Sequence, residues 1–326
     1  MSYTKKIIDK ADEIITARKN RAESIQQVRH TEIVTKIPAV AQYESQLSSC
    51  GFDILKAIGM GENAEKYIKE LSEMNLKTQE HIREELVKAG YPEDYLEPPY
   101  TCKKCGDSGT VGGYYCECRK ELLAQLNLQE LYAVSPAENC RFDNFSLDYY
   151  SDDPDDVYGI SAKVRMQSIL EYCRCYAEDF DLDSGSLYLH GSTGLGKTHL
   201  SLAIANVVAA KGYNIIYNSA YNIFSALEKE KFSYSNTGEE EAKVLNCELL
   251  IIDDLGSEFS SQYSKDALYN IINTRVNTGR PVIISTNLTE NELEAKYSQR
   301  VTSRIIGNYT SLLFVGKDIR QIKNNN

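Results

Sequence analysis

Gly191-Ser192-Thr193-Gly194-Leu195-Gly196-Lys197-Thr198 follows an apolar stretch at residues 187–189 and opens a periodic stretch at residues 200–210, which predicts a strand turning into a helix across the octapeptide. Glycines at such a turn let backbone N–H groups converge on an anion at a helix N-terminus, and a lysine and a hydroxyl complete a phosphate-binding loop. Gly191, Ser192, Thr193, Gly194, Leu195 and Gly196 are expected to cradle the phosphates of ATP, Lys197 to reach the β and γ phosphates, and the Thr198 hydroxyl to ligate Mg²⁺. A glycine-rich turn that binds nothing is the alternative. A strand before it, a helix after it and an acidic strand downstream argue against that.

The acidic strand is Leu249-Leu-Ile-Ile-Asp253-Asp254, a continuous apolar run ending in two carboxylates. A parallel strand buried on both faces reads this way, and its C-terminal end faces the crevice where open α/β sheets bind ligands. Asp253 is therefore expected to hold Mg²⁺ through water, and Asp254 to polarise the water that attacks the γ phosphate. Ser285-Thr286-Asn287 closes a later strand, so Asn287 is a candidate to orient that water or the phosphate. Arg300 and Arg304 in Gln299-Arg-Val-Thr-Ser-Arg-Ile, and Arg320 in Gly316-Lys-Asp-Ile-Arg, carry the planar, permanently charged group suited to phosphate recognition.

At 326 residues the chain predicts about two domains, taking roughly 150 residues per domain. A formal charge of −11 excludes a protein whose whole surface grips nucleic acid and confines any DNA contact to a local groove. The N-terminus lacks an apolar leader core and no stretch approaches a membrane span, which predicts a cytoplasmic protein with no membrane partner.

Nine cysteines, an odd number, suit a reducing compartment better than a disulfide framework. Four cluster: Cys102-Lys-Lys-Cys105 and Cys116-Glu-Cys118 flank a loop containing Gly106, Gly109, Gly112 and Gly113. Two thiolate knuckles of this kind predict one structural Zn²⁺ on Cys102, Cys105, Cys116 and Cys118, although Cys-x-Cys is the less usual second knuckle. Cys173 and Cys175 lie two apart on a predicted helix and so point to different faces, which predicts packing. Cys50, Cys140 and Cys247 are isolated, and His190 and His199 bracket the phosphate loop without a partner in metal or triad spacing.

Residues 1–95 read as a helical N-terminal, partner-binding region, residues 96–132 as the cysteine module, residues 133–160 as a linker and residues 161–326 as the ATPase domain. Residues 1–40 hold eight Lys/Arg against five Asp/Glu, either a partner or nucleic-acid surface or a solvated helix face. Pro92, Pro98 and Pro99 stop the helices before the cysteines, a short helix is expected at 119–132, and the acidic, proline-containing segment 146–156 is expected to be exposed and flexible. Beyond it the pattern alternates: helices at 160–180, 197–211, 220–229 and 265–277, and strands at 187–189, 215–218, 282–286 and 312–315. Alternation predicts an α/β class with a mainly parallel sheet covered on both faces.

Taken together, the phosphate loop continuing into His199-Leu200, the Asn218-Ser-Ala220 strand end, Leu-Leu-Ile-Ile-Asp-Asp-Leu-Gly, Ser-Thr-Asn and the terminal arginines resemble the DnaC/DnaI-type helicase loaders and the related IstB transposition ATPases, members of the AAA+ class. The resemblance covers residues 140–326; the first 95 residues share only helical character. It implies Arg304 as an arginine finger donated to a neighbour's ATP, with Arg300 as runner-up, Asn287 as first sensor and Arg320 as second. Lys197, Asp254, Asn287 and Arg304 are then the catalytic set. The cofactors are ATP, Mg²⁺ and Zn²⁺, and the partners a DnaB-type replicative helicase, single-stranded DNA and further copies of the chain. The implied function is ATP-dependent helicase loading, with a transposition helper on duplex DNA and a non-hydrolysing ATP-bound adaptor as alternatives. Two departures stand out. Asp254 replaces the usual glutamate, and only six residues follow Arg320, so no full helical lid is expected; both suit a slow switch better than a fast motor.

Overall fold

The computed structural model describes residues 3–57, 64–154, 159–233 and 237–324, with side chains described outside 50–57, 64–66 and 324. The side chain of Cys50 and residues 155–156 of the acidic segment lie outside this description. The chain divides into two compact units, Asp12–Arg119 and Met1–Ala11 together with Lys120–Asn326.

The first unit is helical. It holds most of α1 (Lys5–Lys36), then α2 (Pro38–Ala57) and α3 (Ala64–Lys88). Pro38 at the first position of α2 costs no hydrogen bond, because that N–H has no partner within a helix. Ile33, Val40 and Leu86 form a small buried cluster with Ile82, Tyr91 and Tyr95 around it. Gly90, at φ +85°, ends α3 ahead of Pro92, with Tyr91 N–H donating to Leu86 O at 2.9 Å. A hairpin follows, β1 (Thr110–Val111) against β2 (Tyr114–Tyr115), with register Thr110↔Tyr115. Gly112 and Gly113 both have positive φ, as a tight two-residue hairpin turn requires. Helix α4 (Glu117–Val134) leads into the second unit.

That unit is the α/β phosphate-loop core expected for the AAA+ class. Its elements are α5 (Ala162–Glu178), β3 (Ser186–His190), α6 (Lys197–Ala210), β4 (Ile215–Ser219), α7 (Ala220–Lys231), α8 (Glu239–Asn246), β5 (Leu249–Leu255), α9 (Gln262–Asn277), β6 (Val282–Thr286), α10 (Glu290–Tyr297), α11 (Gln299–Asn308), β7 (Tyr309–Leu313) and α12 (Ile319–Asn324). The five strands pair in the order β4-β5-β6-β3-β7, all parallel. Strand residues alternate between two cores. Leu187, Leu189, Ile251 and Ile283 pack with α5 and α6 on one face. Tyr188, Leu250, Ile252, Ile284 and Tyr309 pack with α7, α9, α10 and α11 on the other.

Two expectations are corrected. The last strand is Tyr309–Leu313, earlier than 312–315. Thr310 and Ser311 are exposed on this edge strand, so its first half carries a single buried residue, Tyr309, and no apolar run. The segment before the core is not uniformly exposed either. Ser151–Pro154 are exposed, but Tyr150 is buried at 3% exposure, and Ala137, Phe142 and Phe145 join it in the core of the ATPase unit.

Candidate functional site

Parallel pairing brings the C-terminal ends of β3, β6 and β5 side by side, with His190 opposite Thr286 and the carboxylates of β5 beside them. The crevice beyond these ends is a cavity of about 590 Å³ lined by the phosphate loop, Asp253, Asp254, Asn287 and Arg320. Gly194 and Gly196 sit at φ +73° and +88°. A Cβ on Gly194 would lie 1.9 Å from Asp318 Oδ1, and one on Gly196 2.6 Å from the Phe145 ring, so both the backbone angle and the packing demand glycine. The loop is braced from outside by Tyr150, whose hydroxyl donates to Leu195 O at 3.0 Å, and by Ile319 N–H donating to Gly194 O at 3.1 Å.

Lys197 begins α6 and is buried. Its ammonium donates to Gly191 O at 2.7 Å, Ser192 O at 2.6 Å and Asn287 Oδ1 at 2.8 Å, using all three protons. Burial pushes its pKa down to about 8, against the pull of Asp254 and Asp253. Thr198 Oγ1 donates to the Asp253 carboxylate at 3.0 Å. A hydroxyl and a carboxylate in contact are the hard oxygen donors that Mg²⁺ takes, so this pair fits the ion.

Adjacent strand residues ordinarily face opposite sides of a sheet, yet Asp253 and Asp254 both line the cavity. The reason is a bulge: β5 shifts register against β6 between Ile252 and Leu255, and Asp254 adopts φ +52°, a conformation aspartate tolerates better than most residues. Asn287 then links the motifs, accepting from Lys197 and donating from Nδ2 to Asp254 Oδ1 at 2.8 Å.

Arg320 lines the cavity on α12, its N–H capped by Asp318 Oδ1 at 2.9 Å. Arg300 and Arg304 sit on α11 and are not among the residues lining the cavity; the Arg304 guanidinium lies 5.6 Å from the Tyr269 ring. His190 pairs with Ser311 Oγ at 2.8 Å, and His199 with Arg141 O at 2.9 Å. Cys173 is buried in the core and Cys175 exposed. Cys247 is buried against Arg275, whose guanidinium donates to carbonyls of Val244, Cys247 and Pro281.

The four thiols of Cys102, Cys105, Cys116 and Cys118 lie within 4.8 Å of one another. Cys102 and Cys116 sulfurs are 3.8 Å apart, and Cys105 and Cys118 sulfurs 3.5 Å. Tetrahedral Zn²⁺ with Zn–S of about 2.3 Å places its sulfurs about 3.8 Å apart, so the cluster fits zinc with no position left for substrate. Burial raises the Cys105 pKa, but hydrogen bonds from Gly109 N–H and the neighbouring thiols outweigh it and bring it down to about 7. Asp107, at φ +51°, accepts from Thr101 N–H and Cys102 N–H, both at 2.8 Å, and holds the first knuckle in shape.

Sequence reading missed four contributors. Tyr217 on β4 donates to Asp253 Oδ2 at 2.8 Å and belongs to no motif. Asp318 packs on Gly194; an acid two residues before Arg320 is a helix-cap signal that would have flagged it. Phe145 and Tyr150 sit among acidic residues, where only the run of aromatics before the core hinted at burial.

A family model described as IstB-like ATP binding protein matches residues 175–307. Replicative helicase loader DnaC of Escherichia coli strain K12 is 30% identical over 180 residues, 54% of this chain and 67% of that protein. An ATP-binding protein in an insertion sequence of Mycobacterium tuberculosis is 29% identical over 150 residues, 44% of this chain and 59% of that one. Among solved structures, the crystal structure of the DnaC helicase loader aligns with a TM-score of 0.47 at 24% identity, covering 56% of this chain and 100% of that one.

Proposed function

Because the chain belongs to the IstB/DnaC family of ATP-binding proteins, we propose that it is an ATP-dependent loader that binds a ring-shaped, DnaB-type replicative helicase and deposits it on single-stranded DNA in the cytoplasm. The observation that carries this reading is the 30% identity to a replicative helicase loader across two thirds of that protein's length. The site geometry supports the nucleotide part. Lys197 would exchange Gly191 O and Ser192 O for β- and γ-phosphate oxygens, and Gly191 to Thr198 would wrap the phosphates. Mg²⁺ on Thr198 and Asp253 would neutralise phosphate charge. Asp254 would orient the attacking water while Asn287, touching both Lys197 and Asp254, reports whether the γ phosphate is present.

Arg320 faces its own cavity and would contact the bound nucleotide from the same chain, whereas Arg304, outside it, would reach the ATP of a neighbouring copy. Zn²⁺ on the four cysteines would hold residues 102–118 in shape, and the helical region of residues 1–95 would grip the helicase. Hydrolysis, slow because Asp254 is one methylene shorter than glutamate, would release it.

Light scattering behind size exclusion on the full chain mixed with its host's replicative helicase tests the reading. A complex that responds to ATP against ADP, and loses that response in Lys197→Ala, is the expected result. Absence of a complex under every condition overturns the loader. It would favour the second reading, a transposition helper on duplex DNA, which rests on the IstB-like family match and the insertion-sequence relative.

A further inference from the structure

Asp253 is 6% exposed, and a buried carboxylate must be satisfied by donors. Two come from strands on either side of β5. Tyr217 on β4 lies two residues before Ser219, the register partner of Asp253, and its long side chain spans that diagonal. Its hydroxyl donates to Asp253 Oδ2 at 2.8 Å. From β6, Ser285 Oγ donates to Oδ1 at 2.5 Å and accepts from Asp254 N–H at 2.9 Å, which ties the carboxylate to the bulge beside it.

Each oxygen of Asp253 thus has one anchored lone pair, and Thr198 Oγ1 lies 3.1 and 3.0 Å from the two. The remaining lone pairs are left for the side on which Thr198 sits.

We propose that Tyr217 and Ser285 are positioning residues that aim the two oxygens of Asp253 at the divalent cation accompanying the nucleotide. The inference rests on the reading of this cavity as a Mg²⁺-nucleotide site and is independent of the loader partner. Groups that orient a metal ligand typically change metal affinity by about 10- to 100-fold when removed.

The test uses the full-length protein and a fluorescently labelled ATP, bound first in EDTA and then across a Mg²⁺ series. Tyr217→Phe and Ser285→Ala are each expected to raise the half-saturating Mg²⁺ concentration about tenfold while leaving metal-free nucleotide affinity near that of the unaltered protein, with Tm lowered by the loss of a donor to the buried carboxylate. Ser285→Thr, which keeps the hydroxyl, is expected to retain the original midpoint. An unchanged Mg²⁺ midpoint in Tyr217→Phe overturns the proposal. So does an equal loss of metal-free and metal-dependent binding, which marks a structural role. Failure of the unaltered protein to bind nucleotide in any Mg²⁺ concentration overturns the nucleotide reading and this inference together.

Discussion

Lys197 directs its three protons to Gly191 O, Ser192 O and Asn287 Oδ1, and its burial lowers its pKa from 10.5 to about 8. Between those values the folded protein holds fewer protons than the unfolded chain, so this group's penalty on stability, full at neutral pH, is relieved as pH rises through that window. Nucleotide binding runs the other way. Phosphates favour the charged ammonium, so above about pH 8 binding must take up a proton, and affinity should fall by up to about tenfold per pH unit. Calorimetry in two buffers of different ionisation enthalpy should find little proton uptake from this group near pH 7 and clear uptake near about pH 9. Equal uptake at both would show that Lys197 is already fully charged in the free protein. The lysine, Thr198 and Asp253 were legible in sequence because their motifs are local. Tyr217 was not, since it meets Asp253 only across a strand pairing thirty-odd residues apart in sequence, a register no local pattern specifies.

At the scale of elements, the cysteine module has two strands of two residues each and a glycine turn, too little apolar surface to order itself. Metal ligation of order ~10 kcal/mol would then dominate its folding. Cys105→Ser is expected to lose the zinc and to open residues 102–118 to protease, while nucleotide binding by the ATPase unit persists. Metal analysis with limited proteolysis checks it; one equivalent of zinc retained with unchanged protease resistance would refute the four-thiol assignment. Tight spacing made this module readable, as burial on both faces made β5 readable. The α10–α11 pair was not foreseen. Residue 298 breaks it at φ +98°, and α10 starts on a Thr289–Glu292 capping box whose polar residues resemble a loop.

At the scale of the molecule, the packing of the ATPase unit takes in residues from the start of the chain that no local sequence pattern assigns to it. Tyr3 donates to Gly212 O and Ile7 and Ala11 are buried in the ATPase unit, contacts that only the folded chain brings together. Assembly poses the same problem one level up. Arg304 is not among the residues lining its own cavity, so the proposed role in hydrolysis is one played at the cavity of another copy. An arginine supplied in trans is worth about 10³-fold or more in phosphoryl transfer, and nothing in ATP capture by a single subunit depends on it. Arg304→Ala should therefore abolish the rise in turnover per subunit with protein concentration while dilute protein binds labelled ATP as before. Arg300→Ala, one turn earlier on α11, should leave that rise intact. If Arg304→Ala weakens ATP binding by the isolated subunit to the same degree as turnover, the arginine acts within its own chain and the coupling between assembly and chemistry must come from elsewhere on the surface.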